Sequence, residues 1–406
     1  MAAALVMGLS PTGLHVVRAL GRAGVSVTGM DEGIACGRFS RHLGRFVPLP
    51  PIDQRLAVLC SLCPERGEQE AGKPVLLATT DRDVAFICAN ADTLARHYAL
   101  QQSYRDGTAA RILDKQAFYR LCDAHGVAYP ATWQTSAETV SEIGEKLRFP
   151  CIVKPSQIHR VKHLMNGGKV WIVRDRDELA ALIRTIPPDA GALLAQEIVP
   201  GPESGISLYC AHVDRDGTIR QAFTASKLRQ YPPGFGSASM AQSHCDPETA
   251  RIAGDLLTAA GYRGIAALEF KRHSGDGKLY TIEMNPRPSL WFSLSQAAGR
   301  PVVLSAYREL AGLAQKDVAE QPQRDGVRWR DASKDMASAL FYRRNPEFVL
   351  PPPDLTVAGR AVQHVGAVFE RDDPRPVIGE VLNRMAKAVA RSPLVGGRRN
   401  RAAELA

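Results

Sequence analysis

Long apolar runs, a secretory leader and a disulfide framework are all missing from this 406-residue sequence. No stretch of about 18 consecutive apolar residues occurs, so the sequence predicts no membrane-spanning helix. The opening residues, MAAALVMGLSPTG, have neither a basic region nor a cleavage site, and they read as a buried strand. These absences predict a protein that stays in the cytoplasm.

Cysteine is scarce and scattered, with eight residues in the whole chain. Only Cys60 and Cys63 form a C-x-x-C pair, and no second pair follows at zinc-finger spacing. Two ordinary cysteines are therefore favoured over a zinc or redox site. The other cysteines lie in apolar surroundings, as buried free thiols do.

The chain is too long for one ordinary core, and its 45% hydrophobic and 23% charged residues are typical of a globular protein with two or three domains. Its net charge of +9 is uneven, because residues 381–406 hold six basic residues and one acid. That tail carries no interleaved aromatic residues. The pattern is weak support for nucleic acid binding, and anionic lipid or plain solvation fits as well.

The first residues predict a strand (4–8), a helix ending near Gly24 and a second strand (25–30). Such a βαβ unit suggests a dinucleotide site with Asp31 on a ribose. However, Gly8 and Gly13 do not form G-x-G-x-x-G. A plain Rossmann-like scaffold is the favoured interpretation, with a nicotinamide oxidoreductase as the alternative.

From residue 149 onward the pattern becomes strand-rich, so an α+β arrangement follows the α/β start. One predicted hairpin joins the strand IAALEF to the strand YTIEMN through Ser274-Gly275-Asp276-Gly277. It brings Glu269 beside Glu283, with Asn285 on the same face as Glu283 and Arg287 just beyond. Two adjacent carboxylates repel each other unless a cation lies between them. The oxygen ligands favour Mg²⁺, although Glu269 could instead pair with a lysine at a sheet edge.

This hairpin, AALEFKR…YTIEMNPRP, resembles the metal-binding hairpin of the ATP-grasp superfamily. ILDKQAFYRLCDAHGVAYPATW, FPCIVKP and LLAQEIVPGPES resemble further landmarks of that family, in the right order, over residues 75–300. SKLRQYPPGFGS is similar to bacterial ATP-grasp carboxylate–amine ligases of the D-aspartate ligase type. The resemblance implies a Rossmann-like pre-ATP-grasp domain (1–105), a central subdomain (106–195), a C-terminal subdomain with the metal site (196–315) and a C-terminal extension (316–406).

The same resemblance implies roles for individual residues. Glu269, Glu283 and Asn285 would hold Mg²⁺, with Mn²⁺ as an alternative ion, and Arg287 and Arg229 would face the substrate carboxylate or acyl phosphate. The residues implied to contact ATP are Lys115 and Lys154 at the phosphates, Gln196, Glu197 and the Ile198 backbone at the adenine, Glu203 at the ribose and Lys227 at the γ-phosphate.

Each cation also has a simpler explanation: Lys154 as a lysine at a strand end, Lys115 as a solvated helix residue, and Lys227 with Arg229 as an exposed basic turn after a strand ending at 225. The segment 156–168 departs from the family pattern because it is basic and has glycines only at 167 and 168. It predicts a longer phosphate lid that forms on nucleotide binding.

The implied activity is an ATP-dependent carboxylate–amine ligase that forms an amide through an acyl phosphate. An amino acid is the expected carboxylate substrate, and a peptide or envelope precursor the expected amine. The alternatives are an ATP-grasp kinase or thiol ligase, or an inactive nucleotide-binding protein. No nucleic acid partner is expected.

Beyond residue 313 the clearest pattern is an amphipathic helix near the C-terminus. One face holds Ile378, Val381, Leu382, Met385 and Val389, and another face is basic. Such a helix docks on the protein body or lies at the inner surface of an anionic membrane.

Overall fold

The computed structural model describes residues 1–65, 72–155, 162–165, 168–187, 191–314 and 322–391, which contain three β-sheets with helices packed on them. The strands are β1 (Ala4–Met7), β2 (Val27–Asp31), β3 (Arg45–Pro48), β4 (Val75–Ala78), β5 (Thr132–Thr135), β6 (Cys151–Pro155), β7 (Trp171–Val173), β8 (Leu193–Glu197), β9 (Ile206–Val213), β10 (Ile219–Tyr231), β11 (Ser237–Ser243), β12 (Gly264–Arg272), β13 (Leu279–Asn285), β14 (Val327–Arg330) and β15 (Gln363–Gly366). The α-helices are α1 (Pro11–Arg22), α2 (Ile52–Leu62), α3 (Asp81–Ala89), α4 (Ala91–His97), α5 (Gln102–Arg105), α6 (Thr108–Leu113), α7 (Lys115–Ala124), α8 (Val140–Lys146), α9 (Arg176–Thr185), α10 (Pro247–Ala259), α11 (Phe292–Ala297), α12 (Val302–Leu310), α13 (Ala332–Arg344) and α14 (Pro376–Arg391).

The N-terminal sheet is parallel throughout, in the order β3-β2-β1-β4. Every residue of β1, inside the sheet, and of β4, at its edge, is buried, as expected for a parallel sheet covered on both faces. Proline at the first position of α1 suits the start of a helix, and Gly13 is required because a Cβ there would collide with the carbonyl of Gly8. The carboxyl ends of the strands share one edge, which carries Asp31 and Asp81.

The other two sheets are mainly antiparallel. The small central sheet has the order β5-β8-β6-β7, and the large sheet has the order β13-β12-β9-β10-β11-β14-β15, in which only β14 and β15 pair in parallel. The hairpin β12–β13 lies at one edge of the large sheet. Helix α7 leads into the central sheet from the N-terminal unit, with the Asp114 carboxylate capping its first turn.

Packing joins the N-terminal unit to the large sheet. Val16 and Leu20 of α1 belong to the same buried apolar cluster as Leu208 and Tyr307. The C-terminal segment adds a buried ion pair, because the Arg18 guanidinium lies 2.9 Å from the Asp373 carboxylate and both side chains are at most 1% exposed. The central sheet instead has a cluster of its own, made with α8 and α9.

The α/β and α+β fold class predicted from the sequence is confirmed. The sequence pattern also predicts strands at residues 75–78, 193–197 and 206–213, and β4, β8 and β9 have these bounds. The predicted boundary between residues 195 and 196, however, falls inside β8, which pairs with β5 and β6. The segment 316–406 is also not separate, since it contributes β14 and β15 to the large sheet.

Candidate active site

Two carboxylates face each other on the hairpin β12–β13. The antiparallel register pairs Glu269 with Glu283, and Ala267 with Asn285. Directly opposed residues have Cβ atoms about 5 Å apart, so the two carboxylates share one small region. The Asn285 side-chain amide donates to Glu283 Oε1 over 2.9 Å. The structure therefore gathers the three oxygen-bearing side chains that the sequence assigned to a metal.

A buried lysine lies beside this cluster. The Nζ atom of Lys227 is 2.5 Å from Glu269 Oε2 and 3.2 Å from Gln230 Oε1, and its side chain is 1% exposed. The sequence placed Lys227 after a strand ending at residue 225. Strand β10 instead continues to Tyr231, so Lys227 lies within it, and the interpretation as an exposed turn is wrong.

The two carboxylates have opposite pKa shifts. Burial raises the pKa of Glu269, and the nearby Glu283 adds to that effect despite Lys227. For Glu283, loss of hydration next to the protein also acts to raise the pKa. This effect is outweighed by the nearby charges of Lys169, Lys227 and Arg287 and by the Asn285 hydrogen bond, so the pKa is lowered. The hairpin thus holds one carboxylate whose pKa is lowered next to one whose pKa is raised.

A second cluster surrounds Lys154 on β6. Its ammonium donates to the Tyr119 hydroxyl and to Gln196 Oε1, each over 2.9 Å. Gln196 in turn donates to Tyr119 and to the Thr132 hydroxyl. Burial lowers the pKa of Lys154 to about 8, and Glu283 offsets only part of that effect. Neither of the two hydrogen-bond partners that the described residues offer this ammonium is a carboxylate, so an anion would be a favourable further partner.

Lys115 approaches the same region from the first turn of α7. Burial and, second, the neighbouring Lys154 lower its pKa, while Glu283 acts in the opposite direction. The remaining residues expected at the adenine lie at the end of β8. Glu197 is half-buried and accepts from the Arg148 backbone N–H over 3.2 Å, and Ile198 follows it, also half-buried.

Arg287 connects the hairpin to the N-terminal sheet. Its Nε atom donates to Asp81 Oδ1 over 2.6 Å, and its Nη2 atom donates to Asn285 Oδ1 over 3.2 Å. Asp81 begins α3 directly after β4, at the carboxyl edge of the parallel sheet. The N-terminal unit therefore supplies a carboxylate next to the candidate metal ligands.

Two predicted ligands have other surroundings. Glu203, expected at the ribose, is fully buried and accepts hydrogen bonds from the Gln230 and Gly234 backbone and from the Tyr342 hydroxyl. Arg229, expected at a substrate carboxylate, is 9% exposed and pairs with the buried Asp335 at 3.3 Å. Glu203 is thus enclosed by hydrogen-bond donors from its own chain, whereas the buried Nε atom of Arg229 has no hydrogen-bond partner among the described residues.

The N-terminal loops give no support to a nicotinamide site. The Asp31 carboxylate, expected at a ribose in that interpretation, accepts hydrogen bonds from the backbone N–H groups of Leu9 and Gly33. Most of the predicted phosphate lid 156–168 lies outside the described residues, as does His159.

The structure also shows site residues that the sequence interpretation missed. Lys169 lowers the pKa of both hairpin glutamates, and its ammonium donates to the Ser237 hydroxyl over 2.9 Å. Tyr119 lies four residues after Lys115, a spacing that places both on one face of α7 and was readable from the sequence. The sequence did indicate the loop that holds Asp81, because it follows a buried strand where open α/β sheets carry ligands, but it assigned Asp81 no role.

The donor set of the hairpin suits a hard cation. Two carboxylates and one amide oxygen are ligands that Mg²⁺ accepts, with further positions left to phosphate oxygens and water. Within the described ranges, no group of three or more His, Cys, Asp or Glu side chains forms an alternative metal cluster.

No protein-family model matches the chain. D-aspartate ligase of Enterococcus faecium (strain Aus0004) is 22% identical over 244 residues, which are 57% of each protein. The chain therefore spans little more than half of that relative. The crystal structure of L-amino acid ligase from Bacillus licheniformis superposes with a TM-score of 0.58 at 17% identity, covering 81% of this chain and 78% of that one.

A second similar structure is the biotin carboxylase domain of Hydrogenobacter thermophilus 2-oxoglutarate carboxylase with MgADP, ADP and bicarbonate, with a TM-score of 0.60, 15% identity and coverage of 81% of this chain and 73% of that one. This chain has the ATP-grasp fold. Lys154 lies on the central sheet, and Lys227 and the acidic hairpin lie on the large sheet.

Proposed function

We propose that this protein is an ATP-dependent ligase that joins a carboxylate to an amine through an acyl phosphate. The observation that carries the proposal is the convergence of Lys115, Lys154 and Lys227 on the opposed pair Glu269 and Glu283. Three ammonium groups around two carboxylates suit a nucleotide phosphate chain with its cation. The similarity to D-aspartate ligase and to L-amino acid ligase supports the same reaction.

Glu269, Glu283 and Asn285 would hold the cation. Mg²⁺ bound there would neutralise phosphate charge during phosphoryl transfer. The similar Hydrogenobacter structure is a complex with MgADP, which supports this choice of nucleotide and ion. The raised pKa of Glu269 is compatible with this role, because a bound cation favours the ionised form of a neighbouring carboxylate.

The lysines would bind and orient the nucleotide. Lys154 is held by Tyr119 and Gln196, so its ammonium is fixed in direction before a phosphate arrives. Lys115 extends the same positive region from α7. Gln196, Glu197 and Ile198 at the end of β8 would then border the adenine, as the family resemblance implies.

In the reaction, a carboxylate oxygen of the substrate attacks the γ-phosphorus and the bond from that phosphorus to the β-phosphate oxygen breaks, releasing ADP. The amine nitrogen then attacks the acyl carbon and loses a proton, and inorganic phosphate leaves. Positioning and charge stabilisation suffice for phosphoryl transfer, so no side-chain nucleophile is needed. Arg287, beside the hairpin, would hold the acyl phosphate. Arg229 pairs with Asp335 in the structure, and its expected role at the substrate carboxylate stays a prediction.

We expect the substrate to bind where the N-terminal sheet meets the hairpin β12–β13. Asp81 and Arg287 offer one acidic and one basic group there, 2.6 Å apart. Such a pair suits a zwitterionic amino acid, whose ammonium and carboxylate could each find an opposite charge. The amine acceptor would be a second amino acid, a peptide or an envelope precursor.

The test is a screen of amino acids against amines, with ADP and phosphate release as the first readout and product mass as the second. A ligase releases ADP and phosphate together with an amide, whereas a kinase retains the phosphate on its product. Glu283→Gln should lower release by more than about 100-fold, and Glu142→Gln, on the surface of α8, should leave it unchanged. Undiminished turnover in Glu283→Gln would overturn the proposal.

A further inference from the structure

Helix α14 exposes an apolar stripe. Ile378, Val381, Leu382 and Met385 are 57%, 49%, 40% and 60% exposed, and their spacing of three and four residues places them on one face. Among the described residues, no helix is long and apolar enough to cross a bilayer. A contiguous row of large exposed apolar side chains is a common mark of an interaction surface.

The opposite face of α14 packs against the N-terminal unit. Gly379 is buried against Phe39, so closely that a Cβ at residue 379 would collide with the phenyl ring. Upstream, the buried pair of Arg18 and Asp373 fixes the chain just before the helix begins. The apolar stripe is therefore presented outward on a firmly attached helix.

The charge near the apolar stripe indicates which kind of partner would bind to it. Arg384 borders it, is 44% exposed and pairs with Glu380 and Asp331, and the sequence adds Lys387 and Arg391 to the same helix. Residues 381–406 hold six basic residues and one acid. A second copy of the chain would bring like charges together, whereas an anionic surface would attract them.

We propose that α14 docks this protein on the surface of an anionic lipid bilayer. The helix would lie in the plane of the interface with Ile378, Val381, Leu382 and Met385 among the lipids and the basic residues at the headgroups. This inference stands apart from the proposed ligase activity, because α14 contributes no residue to the candidate active site.

The chain offers a closely matched control. Met336 and Leu340 on α13 are 60% and 42% exposed, nearly the same as Met385 and Leu382. The double variants Leu382→Ser with Met385→Ser, and Met336→Ser with Leu340→Ser, therefore remove the same side chains from two exposed surfaces. Both should fold, since neither pair is buried.

The experiment is sedimentation of the full chain with vesicles of phosphatidylglycerol and phosphatidylcholine, or of phosphatidylcholine alone. The unmodified protein should bind the anionic vesicles, and high salt should weaken that binding. The α14 double variant should bind at least about tenfold less, and the α13 variant should bind normally. Equal binding by the two variants would overturn the proposal. So would a concentration-dependent dimer that the α14 variant alone abolishes, without any vesicle binding by the unmodified protein.

Discussion

The Lys227 ammonium lies 2.5 Å from Glu269 Oε2, and the two side chains are only 1% and 12% exposed. On its other side, Glu269 is opposed in register by Glu283. One carboxylate thus has both a buried cation and a like charge as neighbours. This arrangement predicts that the two glutamates contribute differently to stability.

Glu269→Gln should lower the free energy of unfolding by about 1–3 kcal/mol, because the buried Lys227 loses its charged partner. Glu283→Gln should change it by less than about 0.5 kcal/mol, because Glu283 is exposed and solvent screens its attraction to Lys169, Lys227 and Arg287. Urea unfolding of both variants without added metal checks the difference. Equal losses in the two variants would contradict the assigned contacts.

Nucleotide binding should depend on the charge of Lys154. Its pKa is lowered from 10.5 to about 8 in the unliganded protein, and bound phosphate favours the charged form. ADP affinity should therefore fall as the pH rises through about 8, with proton uptake on binding. Titration calorimetry in buffers of different ionisation enthalpy measures that uptake.

The same shift predicts a stability trend. Between pH 8 and 10.5 the unfolded Lys154 binds a proton that the folded one has lost, so this residue makes the free energy of unfolding rise with pH in that window.

Lys154→Arg is the matching variant for the measurement of ADP binding, because arginine keeps its charge. Its ADP affinity should lack the decline that begins at pH 8, and an identical decline would assign it to another group.

Asp81 and Arg287 should act together on the substrate side. Asp81→Asn should lower kcat/KM about tenfold, because Arg287 loses the partner that orients its guanidinium, while ADP affinity stays unchanged. Asp92→Asn, on the neighbouring helix α4, is the control. A double-mutant cycle with Arg287→Lys should show that the two losses do not add. Full additivity would mean that the residues act independently.

Glu203 should prove to be a structural residue. Glu203→Gln replaces an acceptor with an amide whose N–H groups would face other donors, so unfolding should become easier by about 2 kcal/mol. ADP affinity of the folded variant should change less than about threefold. A large loss of affinity with unchanged stability would restore the ribose role.

The hairpin could be predicted from the sequence because it depends only on residues close together in the chain. A turn rich in glycine separates two strands of alternating pattern, and that alone brings Glu269 beside Glu283. Lys115 was likewise placed at a helix start by the capping residue Asp114. The sequence pattern was enough to place a residue wherever its position depends only on one helix or strand and the adjoining turn.

The rest depends on contacts between distant parts of the chain. Glu203 is buried by Tyr342, 139 residues away, and Arg287 meets Asp81 across 206 residues. Strand β10 was cut short in the prediction because Lys227 and Arg229 look like the polar end of a strand. Their charges are tolerated inside only because Glu269 and Asp335 come from other elements.

The division of the apolar clusters has a mechanical consequence. Helix α1 shares a buried apolar cluster with the large sheet, and Arg18 pairs with Asp373. We therefore expect the N-terminal unit and the large sheet to move together. The central sheet has an apolar cluster of its own, and its described contacts with the large sheet include the polar hydrogen bond from Lys169 to Ser237. Polar contacts separate more easily than a shared apolar cluster, so we expect the central sheet to be the part that moves when a nucleotide enters or leaves.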